Sequence, residues 1–329
     1  MNTDISTKQL SVADKTQRFS PPLCWDSQLW QQNPIFTELA QLFHLQTLTD
    51  FPSPDALNEF LPQGAQVRFV DTVLLEQDGR YYEEFIFKRK EIPTRLNNWH
   101  DFFGALIWCL FPKTKTLLNQ LHMAEIALYG LKERSKLRNK LTLFDECGVL
   151  VLYQKSAEGV VEALRQHQWQ QAFVAQRALW QNNTAGAKAT RAQGPEVQAA
   201  ASVGAMIFGH ANYEMGTRPF IGLTGKMLAM AVSEDFFRWP LRQRIDFIDT
   251  ELEQQIANND VLRQQHQLTP LPLLGIPHWY AANQAPEFYQ DVSYFRPKRT
   301  ITTELKSCSG NKNDRNQSAG QGLCVKQKQ

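Results

Sequence analysis

The sequence has no apolar run long enough to cross a membrane. Its longest mostly apolar runs, Ala105–Phe111 and Ala199–Gly209, fall well short of the roughly 20 residues that a membrane-spanning helix needs. No apolar segment follows the first residues, so we expect no secretory signal. These two features predict a cytoplasmic protein that makes no contact with a membrane.

Cysteine is scarce, and several common cofactor motifs are missing. The chain has 329 residues and five cysteines, and none of them has the spacing of a zinc site or a redox motif. Scattered cysteines in an odd number are typical of free thiols in a reducing compartment. The sequence also lacks a Gly-rich phosphate loop, a dinucleotide-binding fingerprint and a serine nucleophile elbow. We therefore expect no nucleotide cofactor.

The composition is that of an ordinary globular protein. Hydrophobic residues make up 43% of the chain and charged residues 21%, and the length permits a sizeable core. The pattern predicts an α+β fold, a helix-rich single domain with small antiparallel sheet elements that spans residues 21–300. Segments 1–20 and 301–329 offer no periodic apolar face, which predicts that both are disordered.

The stretch from Pro93 to Gly148 combines polar, basic and aromatic residues more densely than any other. Apolar residues recur at three- and four-residue spacing from Trp99 to Leu110, which predicts a buried helix, and Pro112 starts a second helix. In an antiparallel hairpin about Pro112, residues twelve before it and ten after it lie at similar height. The polar residues expected to converge there are His100, Asp101, Asn119 and His122.

Other segments are predicted from shorter patterns. Strands are expected at 67–75 and 81–87, and a β-hairpin is expected at 141–153 with its turn at 145–148. Helices are expected at 195–214 and 224–237. At the end of the first of these, His210 and Glu214 share a helix face, which suits joint metal ligation or an orienting hydrogen bond. An ordinary buried His–Glu pair remains an alternative.

Charge is distributed unevenly along the chain. The segment from Lys88 to Lys140 contains eleven basic and four acidic residues, a local excess of seven positive charges against +2 for the whole chain. Such an excess attracts phosphate or nucleic acid, although a solvated basic helix face explains the same pattern. Asp145 and Glu146 are adjacent carboxylates that suit metal ligation or general base catalysis, and a turn is the alternative.

Several motifs occur in an order that resembles a known family. They are PTRLNNWHDFFGALIW, FPKTKTLLNQLH, LTLFDECG, FGHANYEM, LPLLGIPHW and PEFYQDVSYFRP. The series resembles an uncharacterised proteobacterial domain-of-unknown-function family over about residues 19–299. The resemblance implies a single bacterial cytoplasmic domain without an assigned activity. The polar positions carried by these motifs are Arg95, Asn98, His100, Asp101, Asn119, His122, Asp145, Glu146, His210 and Glu214.

Two functions fit these residues. The first is a metal-assisted phosphoester or nucleic-acid hydrolase, in which a divalent metal polarises phosphate and activates water. The second is a non-catalytic protein that binds nucleic acid or an acidic partner, so whether the chain is an enzyme stays open. The candidate catalytic residues are His100, Asp101, His122, Asp145 and Glu146. The candidate substrate-binding residues are Arg95, Asn98, Asn119, Arg134 and Arg138, and the candidate metal ligands are His100, His122, His210 and Glu214.

Overall fold

Helices form most of the regular structure in residues 19–181 and 201–299, the part of the chain that the computed structural model describes. The α-helices are α1 (Leu29–Gln32), α2 (Thr37–Phe43), α3 (Pro54–Asn58), α4 (Val73–Asp78), α5 (Tyr82–Arg89), α6 (Trp99–Leu110), α7 (Pro112–Tyr129), α8 (Lys136–Cys147), α9 (Glu158–Arg165), α10 (His210–Gly216) and α11 (Leu241–Asn259). The strands are β1 (Arg68–Asp71), β2 (Glu91–Thr94), β3 (Gly148–Gln154), β4 (Val203–Ile207), β5 (Thr224–Val232) and β6 (Thr269–Pro272).

Two small sheets complete the fold. The larger sheet has the strand order β4-β3-β5-β6, with β3 antiparallel to β4 and parallel to β5. In the smaller sheet β1 and β2 are parallel. The prediction of a helix-rich α+β fold is confirmed. The larger sheet has a parallel pair beside its two antiparallel pairs, whereas the smaller sheet is a parallel pair alone, where antiparallel pairing was expected. Strand β3 is buried along nearly its whole length, because helices and neighbouring strands cover it.

Helix α6 is strongly apolar, and its first turn packs among aromatic rings. The Asn98 side chain accepts a hydrogen bond from the backbone N–H of Asp101 and so caps the helix. Trp99 stacks on Trp25 with ring centroids 5.2 Å apart. This packing fixes the first turn of α6, from which His100 projects.

Five predicted elements differ from the structure. The strand expected at 67–75 is shorter, since residues 68–71 form β1 and residues 73–75 begin helix α4. Residues 82–89 form helix α5 instead of a strand, and α8 continues to Cys147 where a hairpin turn was expected. Residues 224–232 form strand β5 instead of a helix, since they pair with β3 and β6 on both sides. Of the predicted helix 195–214, residues 203–207 form β4 and only the last residues enter α10, while 195–200 lie outside the described residues.

The domain boundaries stay a prediction. Segment 301–329 and all but the last two residues of segment 1–20 lie outside the described part of the chain. The described residues up to Pro297 group into one compact unit. Within residues 19–181 and 201–299, no helix is both long and apolar enough to span a membrane.

The pairing of β3 with β4 brings two helix ends together. Helix α8 ends immediately before β3, and α10 begins three residues after β4. Because the strands are antiparallel, Val149 at the start of β3 lies opposite Ile207 at the end of β4. The C-terminus of α8 therefore meets the N-terminus of α10.

Gly209 permits this meeting at very short range. A Cβ atom at this position would lie 2.4 Å from the carbonyl oxygen of Glu146 and 2.4 Å from the backbone nitrogen of Cys147. These are backbone atoms, which cannot rotate away as a side chain can. Glycine is required here by space, since its φ of −75° is open to any residue.

We expect Gly209→Ala to lower the free energy of unfolding by about 1–3 kcal/mol, as overpacking does. The matched control is Gly159→Ala in α9, where the nearest atom to a new Cβ is 3.9 Å away. That change should stabilise the helix by about 0.5–1 kcal/mol. Chemical denaturation of both variants measures the difference, and equal stability of the two would contradict the close approach at Gly209.

Candidate metal centre

Three side chains from three helices converge at one point. The Nε2 atoms of His100 and His210 lie 3.0 Å apart. The Oε2 atom of Glu146 lies 3.5 Å from Nε2 of His210 and 3.9 Å from Nε2 of His100. A tetrahedral zinc ion with bonds of 2.0–2.2 Å spaces its ligand atoms about 3.4 Å apart. The three atoms thus have the spacing that a metal ion needs.

The other nitrogen of each histidine is anchored. Nδ1 of His100 lies 3.0 Å from Oε2 of Glu214, and Nδ1 of His210 lies 2.9 Å from the backbone oxygen of Asp145. A carbonyl oxygen only accepts hydrogen bonds, so Nδ1 of His210 carries the proton, and an ionised Glu214 imposes the same on His100. Both Nε2 atoms consequently point at the centre. This outer arrangement is typical of metal-binding histidines.

The electrostatics of the cluster call for a cation at its centre. Burial lowers the pKa of His210 to about 4, so its Nε2 holds a free lone pair at neutral pH. Burial also lowers the pKa of His100, but the hydrogen bond to Glu214 and the charge of Glu146 outweigh burial and raise it overall. Two lone pairs 3.0 Å apart repel one another, so either a proton on His100 or a metal ion must lie between them.

Neighbouring residues fix the elements that carry the cluster. The backbone N–H and guanidinium of Arg95 donate to both carboxylate oxygens of Asp101, at 2.7–3.0 Å, and so fasten the first turn of α6. Lys115 on α7 contacts Asp145 at 2.5 Å. Burial raises the pKa of Asp145, yet the charges of Lys115 and His210 and the hydrogen bond from Lys115 together outweigh burial and lower it overall. Asp145 is therefore held as a carboxylate one residue before Glu146.

A cavity of about 290 Å³ opens beside the cluster. Three protein ligands and an accessible cavity are the pattern of catalytic zinc sites, because structural sites fill all four positions with protein atoms. Its wall includes aromatic and polar side chains from α5, α6, α7 and α8. Members of the wall are Tyr81, Tyr82, Glu83, Arg95, His100, Asp101, Gly104, Trp108, Lys115, His122, Arg134, Thr142, Asp145, Glu146 and His210.

The predicted site residues divide into two groups. Those on the cavity wall are Arg95, His100, Asp101, His122, Arg134, Asp145, Glu146 and His210. Asn98, Asn119 and Arg138 are not on the wall. Asn98 caps α6, and Asn119 donates to the carbonyl and carboxylate of Glu83. Arg138 donates to the carbonyls of Gly130, Leu131 and Glu133. Of the four predicted metal ligands, His100 and His210 belong to the cluster and Glu214 contacts His100 from behind. His122 is on the wall, outside the three-residue cluster.

Sequence reasoning missed Lys115, Trp108 and the two tyrosines. For Lys115 a signal was present, since it precedes Asn119 by four residues and His122 by seven and so shares their helix face. For Tyr81 and Tyr82 the sequence gives no such signal. Their segment is predicted as a strand, so the residues that share a helix face there could not be identified.

The matched family agrees with the resemblance seen in the sequence. A family model described as "Protein of unknown function (DUF3025)" matches residues 67–299. The chain belongs to this family. The matched region contains His100, Glu146, His210 and Glu214. No curated protein and no solved structure matches the chain.

We expect Glu214→Gln to weaken zinc binding about 10–100-fold, as loss of such an outer partner does. The amide keeps the shape of the side chain but removes the charge that orients His100. Isothermal titration of tag-free protein with Zn²⁺ gives the affinity, and the exposed Glu287→Gln serves as control. Zinc affinity within twofold of the wild type would contradict a role for Glu214 behind His100.

Proposed function

We propose that this protein is a metal-dependent hydrolase with one divalent ion, best matched by Zn²⁺, held by His100, His210 and Glu146. The observation that carries the proposal is the convergence of three ligand atoms beside a cavity, with both imidazoles anchored through Nδ1. Two imidazole nitrogens and a carboxylate oxygen form a ligand set of catalytic zinc sites.

The reaction we propose is hydrolysis of a phosphoester. The oxygen of water forms a new bond to phosphorus, the bond from phosphorus to the ester oxygen breaks, and the departing oxygen takes one water proton. A divalent ion would supply Lewis acidity and lower the pKa of water. The chain itself holds His100 and His210 in one tautomer and keeps Glu146 at the same point.

The size of the cavity favours a small substrate. A volume of about 290 Å³ lies at the lower end of the range for small-molecule sites. It admits a small ester or a chain end, and it has no room for a duplex. The hydrolase is therefore proposed for small phosphoesters rather than for polynucleotides.

Charge pairing also disfavours the alternative of a nucleic-acid-binding surface. Several basic residues of the central segment are engaged within the protein: Lys88 with Glu84, Arg89 with Glu91, Arg95 with Asp101, and Lys115 with Asp145. Arg138 is buried and donates to backbone carbonyls. These five of the eleven cations are thus engaged within the fold, and the pairs with Glu84 and Asp145, which lie outside the segment, lower its excess of positive charge from seven to five.

Metal analysis is the first test. Protein made without a polyhistidine tag should contain, or bind after dialysis, one equivalent of Zn²⁺. Two histidines and one carboxylate also hold Fe(II) in non-haem oxygenases. If the protein holds one equivalent of iron and has no affinity for zinc, the hydrolase proposal is rejected in favour of Fe(II)-dependent oxygenase chemistry.

Activity is the second test, with p-nitrophenyl phosphate and bis(p-nitrophenyl) phosphate as substrates. We expect hydrolysis that stops with a chelator and returns with Zn²⁺, and that falls at least 100-fold in His210→Asn, since an essential ligand is lost. The control is His266→Asn at an exposed histidine with φ of 63°, a backbone conformation that asparagine tolerates. Full activity in His210→Asn would overturn the proposal.

A further inference from the structure

Helix α7 turns an unusual row of polar side chains inward. Lys115, Asn119 and His122 are each about 95% buried and share one helix face. Lys115 contacts Asp145, and Asn119 donates to Glu83 at 2.6 and 2.9 Å. His122 is the member of this row that has no hydrogen-bond partner among the described residues. It is therefore the one whose burial the protein does not compensate.

The surroundings of the His122 ring determine which of its two nitrogens a ligand can reach. Nδ1 is buried without a partner, and the side chain lies on the wall of the cavity that also holds the metal cluster. A buried polar group without a hydrogen-bond partner destabilises the folded state. Burial lowers the pKa of His122, which leaves a neutral ring with one donor and one acceptor. Because Nδ1 is closed off, a ligand in the cavity reaches His122 through Nε2, which has no hydrogen-bond partner among the described residues.

Arg134 is the second uncompensated group on this wall. The other two cations of the wall, Arg95 and Lys115, each contact a carboxylate. The Nε of Arg134 donates to Asn139 at 3.1 Å and its Nη2 donates to Thr142 at 2.5 Å. These bonds orient the guanidinium and leave Nη1 without an acceptor among the described residues. Arg134 is exposed, so it borders the mouth of the cavity.

The wall around these two residues is not a general positive field. Glu83 lies on it as well and accepts from the amide of Asn119. Asp101 and Asp145 compensate the remaining cations. Recognition of a ligand at this wall must therefore come from directed hydrogen bonds, as with a single small anion.

We propose that Arg134 and His122 form a subsite for an oxyanion group of the substrate, a phosphate or a carboxylate, on the cavity wall that also carries the metal cluster. This inference rests on the proposed function, because it names the part of the substrate that lies away from the reacting bond. The guanidinium offers a charge-assisted donor at the mouth, and His122 offers a hydrogen bond deeper in the cavity.

The test is isothermal titration of zinc-loaded, tag-free protein with inorganic phosphate and, in a separate arm, with acetate. We expect Arg134→Gln and His122→Gln each to raise the Kd of the bound anion at least tenfold while the Kd for Zn²⁺ stays within twofold. Lys132→Gln is the matched control, an exposed cation in the same loop that is absent from the cavity wall. It should leave both constants unchanged.

The outcomes separate the two proposals. Phosphate binding that depends on Arg134 and His122 supports a phosphate subsite, and the same dependence with acetate alone supports a carboxylate subsite. Anion affinity unchanged in Arg134→Gln, which is exposed and should fold normally, would overturn the subsite. If zinc does not bind but phosphate binding still depends on Arg134 and His122, the metal proposal fails and the subsite stands.

Discussion

Everything at this site depends on two imidazole nitrogens that face each other at 3.0 Å. Each ring is fixed from behind, one by a carboxylate and the other by a backbone carbonyl, so neither can turn away to relieve the repulsion between lone pairs. Such an arrangement is stable only with a positive charge between the nitrogens. Glu146 at the same point and Glu214 behind His100 together bring two negative charges, which a divalent ion balances and a single proton does not.

The fold supplies this arrangement through backbone geometry rather than through long side chains. The antiparallel pairing of β3 and β4 brings the end of α8 to the start of α10, and Gly209 lets the two backbones approach without a Cβ between them. Helix α6 packs against α10, and His100 in its first turn contacts His210 and Glu214 of α10. One side chain of the cluster comes from each of these three helix ends, so a shift of any one of them would separate the three atoms.

The long, periodic parts of the fold could be predicted from the sequence. Trp99–Leu110 and the helix after Pro112 have an apolar period of 3.6 and clear start signals, and the structure has both helices. Helix 224–237 was predicted because Met, Leu and Ala favour helices. The segment instead forms the inner strand β5, where pairing on both sides and burial of alternate residues outweigh propensity.

The candidate site could be predicted only in part, because local sequence patterns do not show which strands pair. The adjacent carboxylates at 145–146 are predicted as a turn because residues 141–144 are predicted as a strand, whereas in the structure they continue helix α8. His100, Glu146 and His210 come from separate parts of the chain, and their distances depend on sheet pairing, which local patterns do not encode. The spacing of His210 and Glu214 correctly places both near the cluster. In the structure, however, Glu214 contacts Nδ1 of His100 and lies outside the three-residue cluster.

The most direct measurement is anomalous X-ray diffraction from crystals of the zinc-loaded protein, recorded on both sides of the zinc absorption edge. We expect one strong peak about 2.0–2.2 Å from Nε2 of His100, Nε2 of His210 and a carboxylate oxygen of Glu146. A map with no anomalous peak between the two imidazoles, or with its strongest peak at other residues, would contradict the account.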